Sequence, residues 1–498
     1  MNILYVSPEI TPFAKTGGLA DVSSALPRAL KGMGHDVRSV MPKYASLKET
    51  GLTRLETGHL PRVTMHNGVH GAGLWQSGAT GSPVYFIENN EYFHRDGLYG
   101  IGNWDYPDNL ERFVFFCKAA IACCRAIHFT PDVIHCNDWQ SAPIAALVKT
   151  AGQDDVEKAF PARVRPGIVF SIHNTAYQGI FPEHLWQVLT LDRRYYPHDF
   201  EFYGQINLMK SAIIFSDAIH TVSPTYAREI QTTELGFGLQ GVIQARNPDI
   251  FGILNGVDDD EWSPVNDPYT YGIRFSAEDL SGKRHIKTRL RAEYGLPDLN
   301  DTPLVGIVSR LVEQKGIDLI MGCAERILGL NTQMFILGFG EQRFHGYFEW
   351  LLSAYPDRVR LYIGFNNALA HKIEAGSDLF LMPSRFEPCG LNQIYSLKYG
   401  TLPIVRQTGG LADTIQDGKN GFSFHDGHPD ALLDAVFRAC MLYRHEPELW
   451  KQMMRFAMNQ DFSWRQTAEQ VVGVYRHALR KTKIIESDRD AIGHGTNH

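Results

Sequence analysis

The chain alternates short apolar, β-branched runs with longer segments of helical period from one end to the other. Such alternation is typical of parallel sheets whose strands are joined by crossover helices. Each half holds enough strands for a doubly wound sheet of its own, so the sequence predicts an α/β protein with two such domains. The predicted strands are Ile3–Val6, Val37–Met41, Val133–Cys136, Ile168–Ile172, Ala218–Val222, Ile250–Leu254, Leu304–Val308, Met334–Leu337, Arg360–Ile363, Leu379–Met382 and Leu402–Val405.

The domain boundary is predicted at a polar, breaker-rich stretch in the middle of the chain. With 498 residues the chain exceeds the roughly 100 to 200 residues of one domain. Asn255-Gly256 and Asp258-Asp259-Asp260 show no helical period, so we predict domains over 1–255 and 264–462 with a hinge over 256–263. Apolar residues spaced three and four apart predict a helix over 463–480 that packs back on the first domain, followed by a polar tail over 481–498 that we expect to fray from Ile484 onward.

Composition and charge exclude several classes of protein. The 48 Lys and Arg residues against 55 Asp and Glu residues leave a formal charge of −7 without a cationic block, which argues against nucleic acid as a partner. Seven cysteines without paired CxxC spacing indicate a reducing, cytoplasmic protein. No secretory signal is expected, and the most apolar stretch, Phe113–Cys124, is too short to span a membrane and predicts a buried helix. No metal-ligand spacing occurs, so neither a metal nor another cofactor is expected.

A six-residue identity links the two halves. Thr16-Gly17-Gly18-Leu19-Ala20-Asp21 recurs as Thr408-Gly409-Gly410-Leu411-Ala412-Asp413. One interpretation is that both turns offer backbone N–H groups at a helix N-terminus to a ligand in a shared cleft. The other is that both are ordinary strand-to-helix turns, which favour Gly for its conformational freedom. The sequence leaves both open.

The first copy follows Lys15 and lies between a predicted strand and a helix that reaches Gly32. Glycines allow an anion to approach the backbone, while the helix N-terminus and the lysine supply positive charge. The turn therefore suits a phosphate or diphosphate. It lacks the Walker spacing, and Gly338-Phe339-Gly340 lacks the third glycine of a dinucleotide fingerprint, so a nicotinamide enzyme is weakly supported.

Two motifs of the second half also follow predicted strands, where open α/β sheets bind ligands. Arg310 and Lys315 are placed to hold a pyrophosphate, although a solvated surface pair is an equal alternative. Pro388 and Gly390 fix a turn that presents Glu387, and the next residues open a helix toward an anion. Cys389 is better explained as a packed turn residue than as a nucleophile.

In the first half, Asp138 and His173 lie just beyond strands, where polar side chains reach substrate hydroxyls. Any single one of the chain's 20 histidines is more often structural than catalytic. Together these motifs predict a phosphate-bearing donor with a polyhydroxylated group, such as a nucleotide-sugar.

The combined motifs resemble those of the bacterial glycogen synthase and plant starch synthase family over roughly residues 1 to 480. The resemblance implies the GT-B architecture, with two Rossmann-like domains facing a central cleft. It also implies retaining transfer of glucose from a nucleotide-glucose to the nonreducing end of an α-1,4-glucan without a metal. The matching segments are Lys15–Asp21, His135–Trp139, Ile172–Asn174, Asn255–Asp258, Ser309–Gly316 and Ser384–Gln393.

The resemblance also implies roles for single residues. Asp138 and His173 would hold glucose hydroxyls, with the main-chain carbonyl of His173 near the anomeric carbon, and Glu387 is the family's essential carboxylate near the transferred glucose. Arg310 and Lys315 would neutralise the departing diphosphate, and these five residues form the implied catalytic set. The further donor contacts implied are Lys15, Gly17, Gly18, Asp21, Asn255, Gln314, Phe365, Cys389, Gly390, Leu391 and Asn392.

Three positions depart from the family pattern and bear on the choice of nucleotide. Phe365 stands where a tyrosine is usual and is not followed by the usual glutamate, Gln240 replaces an acidic residue and Asn392 replaces a threonine. ADP-glucose is the expected donor, with UDP-glucose, another retaining GT-B glucosyltransferase activity, or a non-catalytic glucan-binding protein as alternatives. Glycogen or a maltooligosaccharide is the expected acceptor, and the oligomeric state is left open.

The expected mechanism is a front-face route through an oxocarbenium-like ion pair, in which the leaving phosphate takes the proton of the acceptor and the enzyme supplies no nucleophile. Because the implied diphosphate contacts lie on both halves, we also expect ADP to close the cleft about the segment Gly256–Ser263, which small-angle scattering would register as compaction.

Overall fold

The computed structural model describes residues 1–56, 60–102, 104–151, 160, 165–299 and 301–493. The chain forms two compact units. The first consists of Met1–Val222, Ala227–Gly256 and the segment from Trp464 onward, and the second of Ser223–Tyr226 and Val257–Ser463. All seven cysteines are buried and free, consistent with the absence of a disulfide pattern in the sequence.

The first unit is built on a nine-stranded sheet. Its strands are parallel except at one edge, where Gly73–Ser77 pairs antiparallel with both of its neighbours. All six predicted strands are present, and the three strands at that edge were missed. Thr53–Arg54 has only two residues and Gly73–Ser77 lies in a glycine-rich stretch, whereas Val84–Glu88 is an apolar run that sequence reasoning could have found. In spatial order the strands are Ile250–Gly252, Ala218–Thr221, Gly167–Ile172, Val133–Asn137, Asn2–Val6, Asp36–Pro42, Val84–Glu88, Gly73–Ser77 and Thr53–Arg54.

Helices and small sheets surround this sheet. The helix predicted from Phe113–Cys124 spans Asn109–Ala126 and is buried. The other helices are Gly18–Gly32, Asn90–Phe93, Asp138–Ser141, Pro143–Thr150, Leu208–Phe215, Gln240–Gln244 and Trp464–Gly493, with 3-10 helices at Glu183–Leu189, Arg193–Tyr195 and Asn247–Asp249 and a π-helix at Tyr196–Phe200. The small sheets pair Arg62–Met65 with Gly68–Gly71, Gly100–Ile101 with Trp104–Asp105, and Gln205–Asn207 with Ile180–Pro182 and Glu201–Phe202. No helix of the described residues is long and apolar enough to cross a membrane.

The C-terminal helix is part of the first unit's core. Its apolar residues, among them Ala468 and Val471, join a cluster with Ile3 and Leu26, and the Tyr475 hydroxyl lies 2.8 Å from His135 Nδ1. The fraying predicted from Ile484 onward is wrong within the described residues, because the helix continues to Gly493. Lys, Glu, Asp, Arg and Ala are tolerated in helices, and neither Gly nor Pro occurs from residue 481 to residue 492.

The second unit is built on a six-stranded sheet that is parallel throughout. The five predicted strands are present, and a sixth, Phe422–Phe424, was missed because it has three residues. In spatial order the strands are Val359–Ile363, Gln333–Gly340, Leu304–Leu311, Leu379–Met382, Leu402–Arg406 and Phe422–Phe424. The helices are Ser281–Tyr294, Ile317–Gly329, Gln342–Ala354, Asn367–Gly376, Asn392–Lys398, Gly409–Thr414, Pro429–His445 and Pro447–Met458, with a 3-10 turn at Glu313–Lys315. The helix Pro224–Glu229 begins in this unit.

Each parallel sheet has one point at which the order of its strands reverses. In the first unit, the strands that come next in the chain are added on one side of Asn2–Val6, beginning with Asp36–Pro42. The later strands are added on its other side, beginning with Val133–Asn137. In the second unit the corresponding neighbours are Leu304–Leu311 and Leu379–Met382. Open α/β sheets bind ligands beyond the carboxyl ends of the strands at such a switch point. These two sheet edges are therefore where function is expected.

Candidate active site

In the first unit, the Lys15 turn follows Asn2–Val6 and opens the helix Gly18–Gly32. Lys15 Nζ lies 2.7 Å from Asp21, which also accepts a hydrogen bond of 3.0 Å from the Thr11 hydroxyl. Gly17 has extended backbone, and a side chain added there would meet no atom within 4 Å. The turn thus combines a cation, open space and a helix N-terminus, as an anionic ligand requires.

Glu9, which sequence analysis missed, holds this turn in place. Its carboxylate accepts hydrogen bonds from the Thr16 backbone N–H, from the Thr16 hydroxyl at 2.6 Å and from the Tyr99 hydroxyl at 2.6 Å. The residue is only 3% exposed. Its place just after a strand end was a usable signal, whereas nothing in the sequence connects Tyr99 to position 16.

Asp138 and His173 meet across the neighbouring strand ends. The Asp138 carboxylate accepts a hydrogen bond of 2.8 Å from the His173 backbone N–H, and His173 Nε2 lies 3.0 Å from Asn137 Oδ1. Asp138 has a φ of 54°, a conformation uncommon outside glycine, which places its backbone where the strand turns into a short helix. The structure therefore brings together two predicted residues 35 positions apart.

Burial shifts the pKa of both side chains. Removal from water raises the pKa of Asp138 to about 7, opposed by the hydrogen bond from the His173 N–H and reinforced by the negative charge of Glu9. Burial, with the nearby His220, lowers the pKa of His173 to about 3, so its imidazole is neutral at neutral pH. Strongly shifted pKa values, such as those of this carboxyl group and this imidazole, are common at binding and catalytic sites.

In the second unit, Lys315 and Glu387 form an ion pair at the switch point. Lys315 Nζ lies 2.5 Å from Glu387 Oε2, which also accepts a hydrogen bond of 3.0 Å from the Ser384 hydroxyl. Glu387 is 7% exposed, whereas Arg310 is exposed and makes a 3.2 Å hydrogen bond to Gln314. Gln314 Nε2 also donates to the Phe386 carbonyl at 3.4 Å, so Arg310, Gln314, Lys315 and Glu387 lie near one edge of the sheet. Arg310 was predicted to follow the strand but lies inside it, because the strand extends to Leu311 rather than ending at Val308.

The second copy of the hexapeptide packs against the backbone of the Glu387 turn. Gly409 has a φ of 44°, and a Cβ there would lie 1.9 Å from the Glu387 carbonyl oxygen, while a Cβ on Gly410 would lie 2.1 Å from the Cys389 carbonyl oxygen. The Gly410 N–H donates to the Glu387 carbonyl at 3.1 Å. These glycines are packed against the protein's own backbone, in contrast to the open space at Gly17.

The remaining predicted residues are divided between the two units. Asn255 is buried in the first unit, and its Oδ1 has no hydrogen-bond partner among the described residues. In the second unit Phe365 is 81% exposed and Cys389 is buried in its turn. Gly390 and Leu391 complete that turn, and the Asn392 amide donates to the Val308 carbonyl at 2.7 Å. Within the described ranges, no group of three His, Cys, Asp or Glu side chains is placed to hold a metal ion.

Two family models match the two units of the chain. The starch synthase catalytic domain matches residues 2–245, and the glycosyl transferases group 1 model matches residues 289–450. Glycogen synthase of Syntrophotalea carbinolica is 44% identical over 486 residues, covering 96% of this chain and 99% of its own. The chain belongs to the glycogen synthase family. Glycogen synthase of Moorella thermoacetica is 43% identical, covering 97% of this chain and 98% of its own.

Two solved structures are similar to the structure of this chain. The catalytic domain of starch synthase IV from Arabidopsis thaliana, bound to ADP and acarbose, superposes with a TM-score of 0.86 at 34% identity, covering 96% of this chain and 99% of that one. Sucrose-phosphate synthase from Thermosynechococcus elongatus has a TM-score of 0.56 at 16% identity over 96% of this chain and 99% of its own, and shares the fold. As a member of the glycogen synthase family, the chain has the predicted GT-B fold with two Rossmann-like domains and is a glycosyltransferase.

Proposed function

We propose that the chain elongates an α-1,4-glucan by retaining transfer of glucose from ADP-glucose to the nonreducing end. The relatives named glycogen synthase and the ADP-bound starch synthase support the reaction and the donor. The observation that carries the proposal in this chain is the Lys315–Glu387 pair at the switch point of the second sheet. A cation for the leaving diphosphate and a carboxylate for the transferred glucose occupy the edge where such sheets bind ligands.

In the second unit, we assign Arg310 and Lys315 to the donor diphosphate. Arg310 is exposed, and its guanidinium group can donate two parallel hydrogen bonds to two phosphate oxygens at once. The ammonium group of Lys315 is a compact charge held in place by Glu387. As the bond from the sugar to the diphosphate breaks, negative charge accumulates on the leaving group, and fixed cations stabilise it. Phe365, which stands largely in solvent, is assigned to stacking on the adenine.

In the first unit, we assign Asp138 and His173 to glucose hydroxyls and the Lys15–Gly18 turn to the donor phosphate and sugar. The ionised Asp138 accepts hydrogen bonds from hydroxyls, and the neutral His173 ring, held through Asn137, donates or accepts without adding charge. Asp21 keeps Lys15 in position. Asn255, with its unpartnered Oδ1, is a further contact for the donor.

We propose a front-face mechanism. The bond between the anomeric carbon and the diphosphate oxygen breaks, the new bond forms on the same face to an acceptor hydroxyl oxygen, and that hydroxyl's proton passes to the leaving phosphate. Configuration is retained without an enzyme nucleophile or a metal. Trapping a covalent glucosyl group on Glu387 or Asp138 would overturn this route.

The test is transfer of labelled glucose onto glycogen or a maltooligosaccharide, with ADP-glucose and UDP-glucose in parallel. ADP-glucose is expected to be the better donor, and Glu387→Ala is the inactive control. Faster transfer from UDP-glucose would identify UDP-glucose as the preferred donor. Incorporation from neither donor would favour the alternative of a non-catalytic glucan-binding protein. The proposed setting is the cytoplasm, and neither nucleic acid nor membrane is proposed as a partner.

A further inference from the structure

Four residues that follow a strand of the first sheet belong to the second unit. Ser223–Tyr226 comes two residues after the strand Ala218–Thr221, yet it packs with Val257–Ser463. Ser223 immediately precedes the helix Pro224–Glu229, and its hydroxyl accepts a hydrogen bond of 3.1 Å from the Tyr226 N–H, as an N-cap residue does. The same hydroxyl donates to the Pro388 carbonyl at 2.6 Å, in the peptide that follows Pro388.

Asp413 also binds this segment. Its carboxylate accepts hydrogen bonds of 2.7 Å from both the N–H and the hydroxyl of Thr225. Asp413 is the last residue of the second hexapeptide copy, three positions after Gly410, whose N–H donates to the Glu387 carbonyl. The peptide bonds on both sides of Pro388 are therefore held, one through Ser223 and one through Gly410.

We infer that Asp413 and Thr225 are positioning residues for Glu387 in the proposed transfer reaction, on which this inference rests. The Asp413 carboxylate binds Thr225, whereas the Glu387 carboxylate binds Lys315 and the Ser384 hydroxyl. Asp413 and Thr225 join the two supports of the Glu387 turn into one rigid unit, so that the Glu387 carboxylate keeps its distance to Lys315 and to the substrate. Catalytic groups need such support because misplacement by about 1 Å costs about a hundredfold in rate.

The chemistry of Asp413 fits a support better than a ligand contact. Two donors of one residue, Thr225, occupy both carboxylate oxygens. The matching residue of the first copy, Asp21, instead binds Lys15 next to open space. The same six residues thus supply a ligand-facing turn in one unit and a support for the catalytic carboxylate in the other.

The experiment compares Asp413→Asn with the matched control Asp417→Asn in the full-length protein. Asp417 is in the same unit and also accepts a 2.7 Å hydrogen bond from a backbone N–H, but its donor is Ser423 rather than a residue that supports the Glu387 turn. We expect Asp413→Asn to lower kcat about tenfold, the effect of losing one hydrogen bond to a charged group, while the Kd for ADP stays within about twofold. Asp417→Asn should retain the wild-type kcat even where both lower Tm equally.

Two further variants and a direct readout complete the test. Thr225→Val removes one donor and leaves Asp413 in place, so it serves where Asp413→Asn does not fold, and Thr225→Ser should restore wild-type kcat. Hydrogen exchange over 384–391 should be faster in Asp413→Asn than in Asp417→Asn. Equal loss of kcat in both Asp variants, or unchanged kcat and exchange in Asp413→Asn, would overturn the inference. If the wild-type chain transfers no glucose, the proposed function fails while the exchange data still decide on positioning.

Discussion

Lys315 Nζ lies 2.5 Å from Glu387 Oε2, and the two residues follow adjacent parallel strands on either side of a switch point. Each therefore compensates the charge of the other before any donor binds. A diphosphate that binds Lys315 must share it with Glu387, so the two groups act on the donor as a unit rather than independently.

Substitutions of this pair should therefore be non-additive. We expect Lys315→Ala and Glu387→Ala each to reduce kcat by more than about a hundredfold, and the double variant to lose little more than either. Steady-state kinetics with ADP-glucose measures this. Lys372→Ala, which breaks an ion pair with Glu293 elsewhere in the unit, is the control and should leave kcat unchanged. Additive losses would show that the two groups work separately.

Asp138 should make the reaction depend on pH near neutrality. Because its native pKa is raised to about 7, Asp138 is protonated below that pH and becomes a weaker acceptor of hydrogen bonds from hydroxyls, so kcat/KM should rise through pH 7. His173, with a pKa of about 3, stays neutral over this range. The residual activity of Asp138→Asn should lack the inflection, and an unchanged profile in that variant would assign it to another group.

Stability should change with pH in the opposite direction. Between the ordinary value of 3.8 and about 7 the native carboxyl of Asp138 holds a proton that the unfolded chain has released. The free energy of unfolding therefore falls as pH rises through this window. Asp138→Asn should remove this contribution, which thermal denaturation at pH 5 and pH 8 would show as a smaller difference in Tm than in the wild type.

Glu9 should be needed for donor binding without contacting the donor. In Glu9→Gln one carboxylate oxygen becomes an NH2 group that cannot accept a hydrogen bond, so the Lys15–Thr16 turn loses part of its support. We expect the KM for ADP-glucose to rise about tenfold, the effect of one hydrogen bond to a charged group. Tyr99→Phe removes one of the three donors and should have a smaller effect. A wild-type KM in Glu9→Gln would contradict this role.

Alanine at matching positions of the two hexapeptide copies should have different effects. Gly17→Ala meets no atom within 4 Å, so the fold should be retained while the added methyl group hinders the donor and raises its KM. Gly409→Ala requires a left-handed backbone and places a Cβ 1.9 Å from a carbonyl oxygen, so it should lose more than about 2 kcal/mol of stability. Tm and KM of both variants test this, and equal Tm values would refute the distinction.

Phe365→Ala should weaken ADP binding without changing the fold. The side chain is 81% exposed, so its removal leaves no cavity. Stacking of a base on an aromatic ring contributes about 1–3 kcal/mol, which corresponds to roughly tenfold or more in Kd. Calorimetric titration with ADP measures the loss, and Phe365→Tyr should keep the affinity. Equal Kd values for wild type and Phe365→Ala would place the adenine elsewhere.

The sequence by itself determined the two doubly wound sheets and the strand ends at which Asp138, His173, Lys315 and Glu387 lie. Apolar runs and breakers are local signals, and a parallel sheet brings the carboxyl ends of its strands to one edge. Residues that come directly or within a short turn after a strand can therefore be assigned to that edge of their own sheet, and the structure places these four accordingly.

Only the tertiary structure decided which side chains support the turns that carry the site residues. Glu9 meets Tyr99 across 90 residues, and Thr225 meets Asp413 across 188. It also decided that Gly17 of one copy of the hexapeptide faces open space while Gly409 and Gly410 of the other pack against the Glu387 turn. Identical residues have identical local preferences, but hydrogen-bond partners and free volume depend on which distant backbone is brought beside them.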